Sequence, residues 1–148
     1  MDVALIAVGL LIAGAVVAAI VMATRAAVGR VSAASAAAID REFAGATVLR
    51  KAPMANYFGL ESEGGKQVRG NGALVATPDE LWFQRVGASE PLRVPRHTIT
   101  ATSVVRSHAG KSVGRALVRV DFEGREGPDA AAWYVPDAEA WAAELQPQ

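Results

Sequence analysis

The chain has 148 residues, no cysteine, and 15 basic against 15 acidic side chains, so its formal net charge is zero. The lack of cysteine excludes disulfide bonds, thiolate catalysis and zinc sites that need sulfur. A near-neutral chain whose basic stretch lacks interleaved aromatic residues is not expected to bind nucleic acid. Arginine outnumbers lysine 12 to 3, and together with abundant alanine this usage is typical of GC-rich bacterial genomes.

An uninterrupted apolar segment, Val3 to Ala23, contains no charged or polar side chain. About 20 helical residues span the ~30 Å hydrocarbon core of a bilayer, so this segment predicts a transmembrane helix with the lipid bilayer as its partner. A buried core helix of this length would be too large for so short a chain. Cleavage as a secretion signal after Val21-Met22-Ala23 is the stronger alternative, although Asp2 rather than a basic residue precedes the segment.

Two basic residues, Arg25 and Arg30, follow the apolar segment. Positive charge marks the cytoplasmic flank of a membrane helix. The sequence therefore predicts a single-pass protein of the cell membrane, with its N-terminus outside and residues 25–148 in the cytoplasm.

Residues 25–45 are rich in alanine, contain no proline and predict a juxtamembrane helix or linker. Ile39 and Phe43 form an apolar i,i+4 pair on it. A weak heptad-like seam would allow homo-oligomers to form through this helix, and Gly14 and Ala18 offer a small-residue face for helix packing in the membrane. The seam consists of Val28, Val31, Ser35, Ala38 and Glu42.

From Ala46 onward the apolar pattern changes from helical to alternating, which predicts β-strands. Gly64-Gly65 and Gly70-Asn71-Gly72 indicate turns, and Ser107 to Arg115 indicates a polar loop. Pro95 places the fourth strand at an edge or an end of the sheet. The predicted strands are Met54–Glu61, Ala73–Thr77, Leu81–Val86, Pro91–Val94, Thr98–Val105, Ala116–Glu123 and Ala131–Val135.

The alternation also assigns side chains to faces. In the first strand, the residues expected on one face are Met54, Phe58 and Leu60. In the sixth strand, the residues expected to point inward are Val118, Val120 and Phe122. Three aromatic residues, Tyr57, Trp82 and Phe83, are interpreted as core rather than binding residues.

A C-terminal helix is predicted after Pro136-Asp137, because proline is tolerated in a first helical turn and acidic residues favour the positive end of a helix. Its apolar stripe consists of Ala138, Trp141, Ala142 and Leu145. With six or seven short antiparallel strands before it, this stripe is expected to cover the open end of a small curled sheet or barrel. The predicted fold class is therefore α+β, mainly β.

Three segments carry a resemblance to a known family: RGNGALVATPDELWF (Arg69–Phe83), LRVPRHTIT (Leu92–Thr100) and GRALVRVDF (Gly114–Phe122). They resemble stretches of bacterial pleckstrin-homology-like (PH-like) proteins that carry an N-terminal membrane helix, and the resemblance covers roughly Ala46 to Gln146. It implies an antiparallel barrel of six or seven strands, closed by a C-terminal helix whose tryptophan plugs it. The implied domains are an anchor at 1–24, a helix or linker at 25–45, and a PH-like domain at 46–148.

No arrangement of residues predicts a catalytic, cofactor-binding or metal site. Ala109-Gly110-Lys111-Ser112 ends like a phosphate-binding loop, but the first glycine of such a loop would fall at Val105, and a strand rather than a helix follows. His97 and His108 have no acidic neighbour in the sequence with which to hold a metal ion. Asp121 and Glu123 share a strand face and are interpreted as solvated surface.

Four basic side chains lie close together in the sequence, at Arg106, His108, Lys111 and Arg115. Such a cluster can contact a phosphate or an acidic partner, and anionic lipid headgroups are one source of that charge. The resemblance does not extend to the lysine and Arg-x-Arg signature with which eukaryotic PH domains bind phosphoinositides, since the corresponding region has only Arg50-Lys51. The four residues form the predicted site for an anionic ligand or partner.

The predicted function is a membrane-tethered, non-enzymatic binding or scaffolding module. Confinement to the membrane raises local concentration, so weak contacts with a membrane or cytoplasmic protein partner suffice, and the edge at Pro91–Val94 could accept a peptide strand. The first alternative is an accessory subunit of a membrane enzyme, or an unrecognised enzyme with His97 or His108 beside a carboxylate in a cleft. The second is a secreted β domain that starts near Thr24 after signal cleavage.

Overall fold

The computed structural model describes residues 3–67 and 69–147, and within those ranges the chain forms two helices and seven strands. In chain order they are α1 (Val3–Glu42), β1 (Arg50–Leu60), β2 (Gly70–Ala76), β3 (Glu80–Arg85), β4 (Leu92–Pro95), β5 (Ile99–His108), β6 (Lys111–Gly124), β7 (Gly127–Tyr134) and α2 (Ala138–Glu144). Two short 3₁₀ turns, Gly64–Lys66 and Arg96–Thr98, lie between strands. These elements confirm the predicted mainly β class, with a long N-terminal helix, an antiparallel sheet and a short C-terminal helix.

The chain divides into two compact units, Met1–Ala34 and Ser35–Gln148. The described part of the first unit is helical and belongs to α1, and its side chains from Ala4 to Val31 are all exposed. The helix is long and apolar enough to cross a membrane. Its one hydroxyl in this stretch, Thr24 Oγ1, donates a hydrogen bond to the Ile20 carbonyl at 2.8 Å, so the helix itself satisfies that polar group.

The second unit is built on one antiparallel sheet with the strand order β4-β3-β2-β1-β7-β6-β5. Strands β4 and β5 are its two edges, and β1 pairs with β7 so that Tyr57 lies opposite Trp133. Val94 of β4 and Ile99 of β5 belong to the same buried cluster as Trp133. The sheet is therefore curled, because its two edges contribute to one core.

The inner face of the sheet encloses the main hydrophobic core. The three residues predicted to point inward from β6 are buried there: Val118, Val120 and Phe122. Tyr57 and Phe83 also belong to this core, with ring centroids 4.9 Å apart. The predictions for these five side chains are confirmed.

Helix α2 packs on this core with the stripe that its sequence predicts. Asp137 caps the helix by accepting a hydrogen bond from the Ala140 N–H at 3.2 Å. Thr102 Oγ1 donates to the Ala142 carbonyl at 2.8 Å, and Arg96 Nη2 donates to the Glu144 carbonyl at 2.7 Å. The four stripe residues, Ala138, Trp141, Ala142 and Leu145, are all buried.

The C-terminal end of α1 covers part of the outer face of β2 and β3. Ile39 is only 1% exposed and packs with Ala73, Val75 and Trp82 in a second buried cluster. Phe43, one turn further along, meets the Trp82 ring edge-on, with the ring centroids 5.3 Å apart. Because side chains alternate along a strand, this cluster lies on the opposite face from the main core. Trp82 is buried, as predicted, but in the outer cluster.

The predicted turn at Gly70-Asn71-Gly72 is wrong, because these residues begin strand β2. Gly72 serves close packing instead of a turn. A Cβ at this position would come within 2.2 Å of the Gln84 carbonyl oxygen on the neighbouring strand, a separation that no side chain tolerates. The Asn-Gly pair thus reflects a close approach of two strands.

The predicted polar loop at Ser107–Arg115 is also wrong. Strand β5 runs to His108 and β6 begins at Lys111, so the chain reverses within Ala109-Gly110. Both turn residues have positive φ, 47° for Ala109 and 75° for Gly110, as the tightest hairpin turns require. The polar segment is therefore the tip of a long hairpin, although its composition is typical of a loop.

One side chain of β1 lies on the opposite face from its predicted one. Leu60 packs against the main core, whereas Phe58 belongs to a third buried cluster with Leu117 and Ala132. The pairing of β1 with β7 shifts between Tyr57 and Leu60. Such an irregularity changes the face on which the following side chains lie.

Candidate functional site

The tip of the β5–β6 hairpin is held against β1 by two residues of the predicted anion site. The buried His108 ring contacts the Gly59 carbonyl through Nε2 at 3.0 Å. Lys111 Nζ donates hydrogen bonds to the carbonyls of Gln67 at 2.6 Å and of Phe58 at 3.4 Å. Both basic side chains therefore have a structural task, which is to fix the hairpin over the sheet.

Next to His108, Arg119 is the centre of an ion-pair network. Its guanidinium contacts the carboxylates of Glu61 and Asp121, both at 2.7 Å. Hydrogen bonds to Glu61 first, and then to Asp121, raise the pKa of Arg119, and the bond from Arg119 lowers the pKa of Glu61. The charge of Arg119 is thus fully matched by its own neighbours.

Arg119 also determines the hydrogen positions on His108. Its Nη1 lies 3.4 Å from His108 Nδ1, and because a guanidinium only donates, Nδ1 is the acceptor and Nε2 carries the hydrogen given to Gly59. Burial lowers the pKa of His108, and the charge of Arg119 lowers it further. The ring is therefore neutral at pH 7, and it is bonded to a carbonyl and a guanidinium.

A separate cleft of about 340 Å³ lies on the outer face of the sheet. Three of its residues are neighbours on adjacent strands. Asn56 of β1 lies opposite Asn71 of β2 on one side and opposite Tyr134 of β7 on the other. The Asn56 amide donates to Asn71 Oδ1 at 2.7 Å. We call this site the outer cleft, and define it by Met54, Asn56, Arg69, Asn71, Val113, Arg115 and Tyr134.

Two arginines line the outer cleft, and each lies over an aromatic ring. The guanidinium carbon of Arg69 is 5.1 Å from the centroid of Phe58, and that of Arg115 is 5.4 Å from the centroid of Tyr134. Arg115 Nη1 also donates a hydrogen bond to the Tyr134 hydroxyl at 2.7 Å. No carboxylate is among the described residues that line the cleft.

A bulge in β6 brings Arg115 to this position. The pairing of β5 with β6 passes from Ser107 opposite Ser112 directly to Val105 opposite Leu117, so residues 113–116 form extra chain on β6. Ser112 Oγ donates to the Arg106 carbonyl at 2.8 Å and accepts from the Gly114 N–H at 3.2 Å. These bonds give the bulge a defined shape, with Gly114 at a positive φ of 69°.

The predicted cluster of four basic residues is divided by the fold. Arg115 lines the outer cleft, and Lys111 lines an adjoining cleft that shares Arg69 with it. His108 is buried beneath the hairpin, and Arg106 is exposed and lines neither cleft among the described residues.

Sequence reasoning missed the four other residues of the site whose side chains can donate hydrogen bonds: Asn56, Arg69, Asn71 and Tyr134. They come from three strands and a loop end, and only the β1–β2 and β1–β7 registers bring them together. The available signal was the strand alternation, which places Asn56 on the opposite face from Tyr57.

The second histidine lies in a different cavity. His97 is exposed and lines a cavity of about 300 Å³ with Asp79 and Arg96. Residues 3–67 and 69–147 contain no group of three or more histidine, aspartate or glutamate side chains that could hold a metal ion.

No protein-family model matches this chain, and no curated protein matches it. Two solved structures are similar. One is a chain of the 8S snRNP assembly intermediate, with 14% identity and a TM-score of 0.51, over 66% of this chain and 78% of that one. The other is the C-terminal domain of an unknown protein from Leishmania infantum, with 16% identity and a TM-score of 0.49, over 72% of this chain and 86% of that one. At 14% identity the first likeness concerns the fold alone.

Proposed function

We propose that this chain is a single-pass membrane protein whose β domain is a non-enzymatic binding or scaffolding module of PH-like architecture. The seven antiparallel strands, followed by a helix with buried Trp141, support the PH-like assignment. The domain acts by being held near the membrane, where confinement raises its local concentration and allows weak contacts to suffice.

The observation that carries this proposal is the exposure of the apolar segment. Leu10 is 69% exposed, Leu11 is 75% exposed and Ile20 is 60% exposed, and each lies within one continuous apolar helix. Exposed apolar surface costs about 25 cal/mol per Å² in water, and contiguous patches of this size mark membrane or partner contacts. A lipid bilayer covers such a helix around its whole circumference.

The flanking charges support a cytoplasmic β domain. Arg25 and Arg30 follow the apolar segment, and the described part of the segment carries no charge. Basic residues favour the cytoplasmic side of a membrane, which supports the proposed orientation with the N-terminus outside and the β domain inside.

The anchor is tested by placing charge at the centre of the segment. An arginine there costs about 2.5–3.5 kcal/mol, so the double variant Leu11→Arg/Ile12→Arg should leave the membrane fraction. Leu49→Arg/Val86→Arg, at two exposed apolar positions of the β domain, is the matched control and should stay in the membrane. Retention of both proteins in the membrane would contradict a bilayer-spanning role for the segment.

Topology is tested with reporters at both ends and with the N-terminal sequence of the mature protein. We expect an external N-terminal reporter, an internal C-terminal reporter and an intact apolar segment. A mature protein that starts near Thr24 would overturn the anchor and favour the secreted β domain. An external C-terminal reporter on an uncleaved chain would overturn the orientation.

A further inference from the structure

We infer that the outer cleft binds a phosphate monoester through Arg69 and Arg115. This inference deepens the proposed binding role and rests on it. It identifies the chemical class of the ligand, and of the basic cluster visible in the sequence it keeps only Arg115.

The arginines of the outer cleft differ from other arginines of the domain in how their charge is compensated. Arg119 is paired with Glu61 and Asp121, and Arg93 is paired with Glu42 and Glu80. Among the described residues, Arg69 and Arg115 have no carboxylate within ion-pair distance, and each lies over an aromatic ring instead. The cleft therefore presents two uncompensated positive charges, which an anion can neutralise.

The hydrogen-bond donors of the outer cleft are held in fixed positions. An arginine placed on a ring keeps its planar N–H donors available while the ring limits its motion. The bond from Nη1 to the Tyr134 hydroxyl further fixes Arg115. Since the Tyr134 oxygen accepts that bond, its own proton is free to be donated, and the Asn71 amide nitrogen has two more donors because its oxygen holds Asn56.

The number and charge of these donors fit a phosphate monoester. A phosphate monoester carries about −1.5 to −2 charges at pH 7 and three strong acceptor oxygens, which fits two guanidinium groups and the donors of Asn71 and Tyr134. A carboxylate would neutralise only one of the two arginines. Met54 and Val113 add apolar surface beside the donors, and about 340 Å³ is enough for a phosphate with a small organic group.

The test uses the full chain in nanodiscs of phosphatidylcholine, with glycerol 3-phosphate as the probe and glycerol as its uncharged match. We expect saturable binding of glycerol 3-phosphate by calorimetry and none of glycerol. Because a hydrogen bond to a charged group is worth about 1.5–3 kcal/mol, Arg69→Gln and Arg115→Gln should each weaken binding by at least about tenfold. Arg125→Gln makes the same charge change at an exposed position in the β6–β7 turn, and should weaken it less than about twofold.

Arg106→Gln separates this site from the cluster seen in the sequence, and we expect it to behave like Arg125→Gln. Unchanged thermal unfolding of all four variants establishes that the losses are local. No saturable binding by the parent protein, or equal losses in the Arg69, Arg115 and Arg125 variants, would overturn the inference. Neither result would affect membrane retention or topology, so the proposed anchor is judged separately.

The same nanodiscs identify the source of the phosphate. Phosphatidic acid carries a monoester headgroup, and its inclusion should raise the apparent Kd of glycerol 3-phosphate if the cleft takes a lipid. An unchanged Kd assigns the cleft to a soluble phosphate ester. Both results support phosphate recognition, because each requires the probe to bind the parent protein.

Discussion

The two helices cover opposite faces of the same sheet, and they do so to different extents. Helix α2 places Trp141 and Leu145 in the main core, where they are 3% and 0% exposed. The end of α1 places Ile39 in the outer cluster, but Phe43 beside it is only half-buried. The comparison indicates that α2 completes the core, whereas the end of α1 is a smaller cover held by a few contacts.

Ion pairs surround the smaller cover. Arg93 contacts both Glu42 of α1 and Glu80 of β3, and Lys51 lies 3.4 Å from Asp40. The side chains of Arg93 and Glu42 are 46% and 43% exposed, and exposed pairs contribute about 0–1 kcal/mol. Attachment of the α1 end therefore depends mainly on Ile39 and Phe43.

The outer cleft shows what happens where neither helix covers the outer face. Among the described residues, no side chain of α1 or α2 lines it. Cations beside the α1 end are paired with carboxylates, whereas Arg69 and Arg115 of the cleft lie on aromatic rings. Among the described residues, the open part of the outer face is thus the part whose two arginines have no carboxylate within ion-pair distance.

The largest expected effect is loss of the inner cover. Trp141→Ala removes a side chain that is 3% exposed and should lower the free energy of unfolding by about 3–5 kcal/mol. Denaturant unfolding of the detergent-solubilised full chain, followed by circular dichroism, measures it. Trp141→Phe keeps most of the apolar volume and should lose less. An unchanged transition in Trp141→Ala would contradict the role of α2 in completing the core.

Loss of the outer cover should have a smaller effect. Ile39→Ala is expected to cost about 2 kcal/mol, at the low end for a buried isoleucine, because Phe43 still shields Trp82. Leu49→Ala, at a position that is 40% exposed, is the control and should change stability by less than about 0.5 kcal/mol. The same unfolding assay applies, with tryptophan fluorescence as a second readout. Equal losses in both variants would show that the α1 end is not a specific cover.

The contact between the β5–β6 hairpin tip and β1 should make the stability of the domain depend on pH. Folding lowers the pKa of His108 below its ordinary value of 6.5. Below that pH the unfolded chain therefore binds more protons than the folded chain, and the free energy of unfolding falls as pH drops from about 7 to about 5. The pKa values of Glu61 and Asp129 are also lowered. These two groups therefore extend the loss of stability to pH values below about 4.

The variant His108→Gln should flatten the dependence of stability on pH between pH 7 and pH 5, because it removes the group whose pKa the fold lowers. His97→Gln makes the same substitution at an exposed position elsewhere in the domain and is the matched control. Unfolding curves at several pH values measure both. A parental slope in His108→Gln would locate the titrating group elsewhere.

The smallest expected effect is removal of the surface ion pairs. Arg93→Gln breaks the contacts with both Glu42 and Glu80, yet should cost less than about 1 kcal/mol at low salt. At 1 M salt, where the screening length is about 3 Å, the difference from the parent should nearly vanish. Arg41→Gln, on the same turn of α1, is the matched control. A loss as large as that of Ile39→Ala would mean that charge rather than apolar contact attaches the helix end.

The elements that the sequence predicts well are those with an uninterrupted local pattern. The apolar segment from Val3 is uninterrupted, and the alternation at Val118 to Phe122 and the stripe around Trp141 each repeat with one period. Such periods depend only on backbone geometry. Two errors occurred where the pattern is broken, at the bulge after Ser112 and at the shift between Tyr57 and Leu60. A third occurred at Gly70-Asn71-Gly72, where residues typical of turns begin strand β2.

The candidate site was harder to predict than the fold. Among the four basic residues close in the sequence, Arg115 lines the outer cleft, Lys111 lines the cleft beside it, and His108 is buried. The second arginine of the outer cleft, Arg69, is 46 positions away from Arg115 by residue number. Proximity in the sequence is a poor guide in an antiparallel sheet, because neighbours on a face come from different strands.

By itself, the sequence determined that this chain has an apolar N-terminal helix and a mainly β domain closed by a C-terminal helix, since those features follow from local composition and period. Only the tertiary structure decided which charges are compensated. The pairing of β1 with β7 and the position of the bulge in β6 depend on how whole strands pack in the core. They place Arg69 and Arg115 around one cleft and direct His108 and Lys111 to backbone carbonyls.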